Sequence, residues 1–338
     1  MDIQEIRKEA RKKMKGYCRV CPVCNGVACA GEVPGMGGSI TAQSFKNNIN
    51  ELKQVNLRLR TIHNSKNPST NIKILGHKIS MPIISAPVTG SSFNMGGALS
   101  EEEYVIAVMK GSIDAGTIAM TGDTADASMY QDGLDGIRGV DGKGIPIIKP
   151  RENKAILEKI KMAEKINSLA IGVDIDGAGL ITMALKGQPV GPKTKKELKE
   201  LIESTELPFI LKGIMTVEEA KIAVEIGAKA IVVSNHGGRV LDHVEGVAKV
   251  LPEIAKVVKG KITILADGGI RSGIDVFKMI ALGADAVLIG RPIIIGAYGG
   301  HEEGVKITLE KMQKELLQAM ILTGNNNIES IDNNSIKY

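Results

Sequence analysis

The sequence contains very few aromatic residues. Phe, Trp and Tyr together make up 3% of its 338 residues, and Trp is absent. The interior must therefore be built from aliphatic side chains, which supply most of the 43% hydrophobic content. That content suffices for a packed core and excludes global disorder. The length suits one large domain or two smaller ones.

A strong net charge and long apolar runs are also lacking. The formal net charge is +5, and Lys and Arg are spread along the chain. Because RNA-binding motifs are absent as well, we expect no nucleic-acid partner. No apolar run reaches the length of a membrane span, and the charged segment 1–15 lacks the apolar core of a signal peptide. We therefore expect a cytoplasmic protein without a membrane partner.

Cysteine is scarce, and its four copies share one short segment with the spacing C-x2-C-x2-C-x4-C. They are Cys18, Cys21, Cys24 and Cys29. In a cytosolic chain, such clustering suggests a metal more than disulfides. Thiolates at this spacing can hold zinc or an iron–sulfur cluster. Free or redox-active thiols in an N-terminal arm are the alternative, and the spacing alone does not decide between them.

Short apolar runs alternate with helical segments from residue 82 onwards. Eight runs predict buried strands, at 83–86, 117–120, 145–148, 169–173, 208–211, 230–233, 262–265 and 286–289. A helical period lies between most of them, at 101–111, 152–166, 194–204, 216–226, 246–258 and 273–282. Eight such units predict a TIM (β/α)8 barrel. A doubly wound open sheet is disfavoured because no G-x-G-x-x-G motif opens a helix.

The segments before the alternation predict an extension to the barrel. Residues 1–15 have the pattern of a charged amphipathic helix, 16–44 form an irregular Cys- and Gly-rich arm, and 45–60 look helical. We therefore divide the chain into an N-terminal helical and Cys-rich extension, 1–60, and a barrel domain, 61–338.

Two other segments depart from the regular alternation. The stretch 121–144, between the second and third strands, is rich in Gly and Asp and carries little helical signal. From residue 299 the pattern predicts a long helix. An Asn-rich polar tail follows, which we expect at the surface.

Polar residues and glycines follow every predicted strand. In a (β/α)8 barrel these strand ends face the active site. The sixth strand leads into 234–239, which contains His236, a side chain suited to proton transfer near neutral pH. The same six residues contain Arg239, whose planar fork pairs with carboxylate or phosphate. Alone, this stretch could be a polar surface turn, but its position favours an active site.

The ends of the seventh and eighth strands predict an anion site. They contain the glycine-rich stretches 267–271 and 290–291, and loops after the last two strands commonly bind phosphate in such barrels. A cofactor anchored there would lie over Lys212, at the end of the fifth strand. A buried cation at that place stabilises an anionic reduced flavin. A Schiff-base role and a simple ion pair with Asp174 are the alternatives.

Four motifs together resemble the FMN-dependent α-hydroxy-acid oxidase and dehydrogenase family, which includes glycolate oxidase and lactate oxidase. The motifs lie at 212–214, 234–242, 267–273 and 289–292. The resemblance is collinear from about residue 207 to 322 and looser from 80 to 176. It implies an oxidoreductase acting on CH–OH, which converts a small 2-hydroxy acid into the 2-oxo acid. It also implies oxygen or another electron acceptor, and a homo-oligomer.

The resemblance implies a role for individual residues. His236 is similar to the family's catalytic base, and Arg239 resembles the residue that binds the substrate carboxylate. The implied cofactor contacts comprise a backbone segment beside the flavin ring, two further flavin contacts and the phosphate loops. They are Pro87, Val88, Thr89, Lys212, Ser234, Asp267, Gly268, Gly269, Arg271, Gly290 and Arg291.

Parts of the family's substrate site are missing from this chain. The segment 30–35 has no Tyr where the family usually has one, and the third strand ends in Ile147-Ile148-Lys149 in place of Gln-x-Tyr. The stretch 177–190 lacks the family's second carboxylate-binding Arg. Lys149 or Lys186 is a candidate for the replacement cation.

Two other functions stay open on the sequence alone. The first is a flavin-dependent isomerase of the isopentenyl-diphosphate type, although the loop at 236–239 suits a base and a carboxylate anchor better than a diphosphate. The second is a flavin or thiol redox sensor without turnover, which the cysteine arm and the lost substrate residues suggest.

Overall fold

Eight parallel strands close into a barrel in a computed structural model of the chain, which describes residues 1–180, 183 and 186–338. Three short strands precede the barrel in the sequence, so the barrel strands are numbered from β4. They are β4 (Ile83–Ser85), β5 (Ala119–Thr121), β6 (Gly144–Ile148), β7 (Ile171–Asp174), β8 (Phe209–Ile214), β9 (Ala230–Val233), β10 (Thr263–Ala266) and β11 (Ala286–Ile289). Each strand is hydrogen-bonded to its sequence neighbours, and β11 pairs with β4 to close the barrel. The predicted TIM barrel is confirmed.

The register of β8 against β9 is irregular at a glycine that helps to shape the site. The shift falls between Lys212 and Ile214, where Gly213 has a φ of +104°. A Cβ atom on Gly213 would lie 2.6 Å from the Cβ atom of Asp176. The glycine therefore lets the next strand end approach closely, and the bulge locally re-aims the strand.

Helices alternate with the barrel strands, and others lie at both ends of the chain. They are α1 (Ile3–Lys13), α2 (Gln43–Gln54), α3 (Ser91–Asn94), α4 (Glu101–Asp114), α5 (Ala127–Arg138), α6 (Asn153–Glu164), α7 (Lys195–Glu203), α8 (Val217–Glu225), α9 (Val247–Val258), α10 (Gly273–Ala281) and α11 (Arg291–Thr323). Capping boxes at Ser100, Thr194 and Ser272 fix three of the helix starts. Among the described residues, none of the helices combines the length and apolar character needed to cross a bilayer.

The expectation of little helix within 121–144 is wrong, because α5 occupies Ala127–Arg138. Its glycines are required by packing. A Cβ atom would lie 3.0 Å from the Thr121 Oγ1 atom at Gly133, and 2.3 Å from a Val105 methyl carbon at Gly136. Close contact with neighbouring elements thus outweighs the low helix propensity of glycine.

The two ends of the chain also differ from expectation. Helix α2 ends at Gln54, six residues before the predicted limit, and strand β1 (Asn56–Leu57) follows. Helix α11 begins at Arg291 rather than 299 and is broken at Gly300 and His301. The tail is anchored rather than loose, since Asn325 is buried. Its last strand, β12 (Ile336–Lys337), pairs with β1.

A short hairpin precedes the first barrel strand. Strands β2 (Ile72–Ile74) and β3 (His77–Ile79) pair in antiparallel fashion. Leu75 and Gly76 both have positive φ, at +47° and +89°, as a type I′ turn requires. The three isoleucines of the hairpin belong to the main hydrophobic core, so this element extends the barrel's packing.

Candidate active site

The C-terminal ends of the barrel strands open into a cavity of about 190 Å³. The N-terminal arm contributes Val33, Pro34 and Met36 to its wall. The predicted catalytic and substrate residues, His236 and Arg239, both line it. So do the predicted cofactor contacts other than Ser234, namely Pro87, Val88, Thr89, Lys212, Asp267, Gly268, Gly269, Arg271, Gly290 and Arg291. The fold therefore brings together residues from Val33 to Arg291, which are distant in the sequence.

Ser234 has a supporting place beside the cavity. It is fully buried, and its hydroxyl accepts a hydrogen bond of 3.0 Å from the backbone N–H of His236. His236 itself has a left-handed φ of +57°, a conformation that costs energy for a residue other than glycine. The Ser234 hydroxyl thus helps to hold the strained turn that carries the imidazole.

The imidazole of His236 is held by two carboxylates. Its Nδ1 atom lies 3.0 Å from Asp176 Oδ1 and 3.5 Å from Asp174 Oδ2. Asp176 lies on a 3₁₀ turn, Ile175–Gly179, directly after β7. A carboxylate bound at Nδ1 orients the ring, leaves Nε2 as the proton-accepting nitrogen and stabilises the imidazolium once it forms.

Asp174 lies between two buried lysines. Its carboxylate is 2.5 Å from the Nζ atom of Lys149 and 2.8 Å from that of Lys212. Burial alone would raise the pKa of Asp174, but the charges of His236, Lys149 and Lys212 hold it well below its ordinary value. Burial would lower the pKa of Lys212, yet the neighbouring carboxylates, Asp174 first, raise it overall.

The ion pair argues against one of the roles that the sequence left open for Lys212. A Schiff-base lysine must lose its proton to attack a carbonyl, whereas Lys212 is held in its charged form. The ion pair of Lys212 with Asp174, one of the alternatives that the sequence left open, is present. The same ion pair is compatible with Lys212 as a fixed cation on the cavity wall.

Asp174, Asp176 and His236 form a group of side chains that could hold a metal ion, with ligand atoms within 4.8 Å of one another. Two lysine ammonium groups already contact Asp174. A further cation beside them would be repelled. We therefore interpret the three side chains as a base with its carboxylate partners.

The glycine-rich ends of β10 and β11 have the features of an anion cradle. Gly268 and Gly269 have φ values of +92° and +83°, which glycine adopts readily. The buried Nη2 atom of Arg271 has no hydrogen-bond partner among the described residues. Burial, followed by the charge of Arg271, lowers the pKa of Arg291 to about 9. Two partly buried cations, one of which has an unpartnered donor, suit a phosphate group.

Arg239 is anchored to the N-terminal arm as well as facing the cavity. Its Nη1 atom donates to the carbonyl oxygens of Gly35 and Gly37, at 2.5 and 3.1 Å. Its Nη2 atom donates to Asn94 Oδ1 at 2.9 Å. Burial lowers the pKa of Arg239 to about 10. An anion in the cavity would therefore compensate a half-buried charge whose present partners are uncharged oxygens.

Helix α2 contributes two residues that the sequence motifs do not reveal. The guanidinium carbon of Arg291 lies 3.8 Å from the centre of the Phe45 ring. Asn48 Nδ2 donates to Asn235 Oδ1 at 2.7 Å, beside Gly268 and Gly269. The helix was predicted approximately, but no local signal showed that it packs against the anion cradle.

The four cysteines line a second, small pocket with a volume of about 30 Å³. All four are partly buried free thiols, and Cys24 and Cys29 pack against the cluster formed by Ala42, Phe45 and Ile49. Arg291 lines both this pocket and the larger cavity. The two sites therefore share a wall.

A (β/α)8 barrel with an anion cradle after its last two strands and a histidine–carboxylate pair at its mouth defines an enzyme that uses a phosphate-bearing cofactor. The family model described as FMN-dependent dehydrogenase matches residues 36–186 and 182–338. The chain belongs to this family, and FMN is its cofactor. The predicted family resemblance is confirmed.

Relatives and solved structures agree with this assignment. A peroxisomal (S)-2-hydroxyacid oxidase of Arabidopsis thaliana is 32% identical, and the alignment covers 89% of this chain and 90% of that protein. An L-lactate dehydrogenase of Pseudomonas aeruginosa is 30% identical, with 89% and 92% covered. A crystal structure of mandelate oxidase with (S)-2-phenylpropionate superposes with a TM-score of 0.79 at 29% identity, covering 99% of this chain and 97% of that one.

Proposed function

We propose that this protein oxidises a small 2-hydroxy acid to the 2-oxo acid with FMN, and that His236 is the catalytic base. The observation that carries the proposal is the His236–Asp176 pair, 3.0 Å apart, in a cavity walled by buried cations. The names of the relatives support the substrate class, since they include a 2-hydroxyacid oxidase and an L-lactate dehydrogenase.

Oxidation of a 2-hydroxy acid releases two electrons and two protons, and the site residues handle the proton first released. FMN, when bound, would take up the electron pair together with the other proton. His236 takes a proton from the substrate at Nε2 and becomes an imidazolium. Its new positive charge then lies 3.0 Å from the carboxylate of Asp176, which stabilises the charge.

Arg239 is the proposed anchor for the substrate carboxylate, and Lys149 is the proposed second cation. Lys149 is 9% exposed and lines the cavity. Its ammonium carries three donors, of which the structure shows one bound to Asp174. Lys186, by contrast, is exposed, with its ammonium 5.3 Å from the centre of the Phe93 ring. Burial therefore favours Lys149 over Lys186.

The remaining predicted contacts suit the cofactor. Arg271 and Arg291, with the backbone of Gly268, Gly269 and Gly290, would hold the phosphate. Lys212 would keep a positive charge on the cavity wall beside the flavin ring, where it offsets the charge that reduction adds. The backbone at Pro87, Val88 and Thr89 would face the ring.

Neither alternative function gains support from the comparisons. The relatives and the solved structure described above are oxidases and dehydrogenases, and none is an isomerase or a sensor. Oxygen or another acceptor reoxidises the flavin in this proposal. The family resemblance also leads us to propose a homo-oligomer. From the sequence pattern we propose a cytoplasmic location and a domain boundary at residue 60.

Anaerobic mixing with a series of 2-hydroxy acids tests the reaction, because reduction bleaches the flavin. The variant His236→Asn should slow bleaching by about 100- to 10,000-fold at unchanged flavin content. His243→Asn is the matched control, since His243 is also left-handed, with a φ of +63°, but it is largely exposed. Unchanged bleaching in His236→Asn, with every acid that the wild type oxidises, would refute the assignment of the base.

A further inference from the structure

The cysteine segment is the one sequence motif that the proposed function does not use. Cys18, Cys21, Cys24 and Cys29 all line the same small pocket. Its volume, about 30 Å³, exceeds the space that one water molecule needs. The four cysteines therefore surround one shared space.

The loop that carries the cysteines is tied down from outside the pocket. Arg7 of α1 donates to the carbonyl oxygen of Cys21 at 2.5 Å, and Arg11 donates to that of Val20 at 2.9 Å. Arg271 donates to the carbonyl oxygen of Cys24 at 3.3 Å. These contacts fix an irregular backbone that has no regular secondary structure to hold it.

A glycine turn returns the chain to the pocket between the third and fourth cysteines. Gly26 has a φ of +82°, and a Cβ atom there would lie 2.8 Å from the Phe45 ring. The turn presses the loop against Phe45, which also contacts Arg291. The position of Cys29 is thus set by packing against the core of the arm.

The spread of the thiols favours a cluster over a single ion. Four sulfurs around one zinc, each about 2.3 Å from the metal, would lie about 3.8 Å from each other. Although all four cysteines are described, no three of them form a group with sulfurs within 4.8 Å of one another. An iron–sulfur cluster spreads its four thiolates over several iron atoms. A cluster therefore does not require the short sulfur–sulfur distances of a zinc site.

Charge and hydrogen bonding also fit such a cluster. Four thiolates around a [4Fe–4S] core carry a net charge of about −2, and Arg291 lines the pocket. The backbone N–H of Val20 donates to the Cys18 sulfur at 3.4 Å, a kind of bond that tunes iron–sulfur centres. The first three cysteines also keep the C-x2-C-x2-C spacing of bacterial cluster-binding runs.

We propose that Cys18, Cys21, Cys24 and Cys29 ligate a [4Fe–4S] cluster. The site shares Arg291 with the FMN cavity, so the cluster lies beside the phosphate end of the flavin site. It is separate from His236, which carries out the proposed proton transfer.

The test is the iron and acid-labile sulfide content of the whole protein after anaerobic purification, followed by anaerobic reconstitution with ferrous iron and sulfide. We expect about four of each per chain, with an electron paramagnetic resonance signal on chemical reduction. One zinc per chain, iron without sulfide, or thiols and disulfides that take up no iron would each overturn the proposal. None of these readouts depends on substrate turnover, so they are independent of the proposed function.

Single variants identify the ligands. Cys21→Ser and Cys24→Ser should each lose at least half of the iron and sulfide. Val23→Ser is the matched control, because it places the same side chain in the same loop at an exposed position, and it should keep both. Full cluster content in both cysteine variants would refute the ligand assignment. If either variant fails to fold, the wild-type iron and sulfide content still decides whether a cluster binds.

Discussion

Asp176 reaches His236 across an intervening strand. Asp176 follows β7 and His236 follows β9, yet Asp176 Oδ1 and His236 Nδ1 lie 3.0 Å apart. The approach depends on Gly213 in β8, where a Cβ atom would be 2.6 Å from that of Asp176. A glycine in the middle strand thus makes room for the pair on which the proposed proton transfer depends.

Asp176→Asn removes the charge behind the imidazole while keeping its shape. Without the carboxylate, the imidazolium loses its stabilising partner, and the ring can adopt the wrong tautomer. We expect anaerobic flavin reduction to slow by about 100-fold or more, at normal flavin content. Asp114→Asn, at an exposed position, should leave the rate unchanged. An unaffected rate in Asp176→Asn would mean that this carboxylate does not assist the base.

Lys149→Met tests the replacement cation in the substrate site. Loss of a charged hydrogen bond of about 1.5–3 kcal/mol should raise the KM for 2-hydroxy acids by roughly 10- to 100-fold. Lys186→Met is the matched control and should change KM little. Steady-state kinetics with both variants give the comparison, and the flavin content checks that the barrel is intact. If KM rose only in Lys186→Met, the second cation that binds the substrate would be Lys186 and not Lys149.

Asp242 fixes the arm to the loop that follows His236. Its carboxylate accepts from the backbone N–H and the hydroxyl of Thr41, both at 2.7 Å, and from the backbone N–H of Ser44 at 3.0 Å. Burial alone would raise the pKa of Asp242, but the hydrogen bonds from Thr41 and Ser44 lower it overall. Its stabilising contribution is therefore present above the ordinary Asp pKa of about 3.9 and is lost as the pH falls towards the lowered value.

Asp242→Asn should accordingly reduce the free energy of unfolding by about 2 kcal/mol near neutral pH. The difference from wild type should shrink as the pH falls below about 3.9. Denaturant titrations of the flavin-loaded proteins at several pH values measure it. Asp126→Asn serves as the control, because Asp126 caps a helix, and Asn caps about as well as Asp. A difference independent of pH would contradict the role of the charge.

The strand ends of the site could be predicted from the sequence because their signals are local. An apolar run such as Ala230–Val233 marks a strand, and the polar residues that follow it mark the strand's end. The barrel then places all such ends at one mouth. His236, Arg239 and Lys212 were found in this way, although the contacts of Arg239 with the arm were not.

The contacts of the arm could not be predicted because they depend on how distant elements pack. Phe45 meets Arg291, and Asn48 meets Asn235, across roughly 190 to 250 positions of sequence, which no local pattern encodes. The missed helix α5 has a related cause. Its glycines lower helix propensity locally, and the packing that requires them appears only in three dimensions.

The last prediction concerns Gly269, which forms part of the anion cradle. A Cβ atom there would lie 2.4 Å from the backbone oxygen of Asn48, at a φ of +83°. Gly76 is the matched control, because its φ is +89° and no heavy atom of the described residues lies within 4 Å of the same Cβ position. Alanine at either site incurs left-handed strain of about 1–2 kcal/mol. Only Gly269→Ala must also displace α2 from the cradle.

We therefore expect both variants to lose some thermal stability, but only Gly269→Ala to weaken FMN binding, by 10-fold or more in fluorescence titrations of the apoprotein. Equal FMN affinity in the two variants would show that the cradle does not depend on the contact between Gly269 and Asn48.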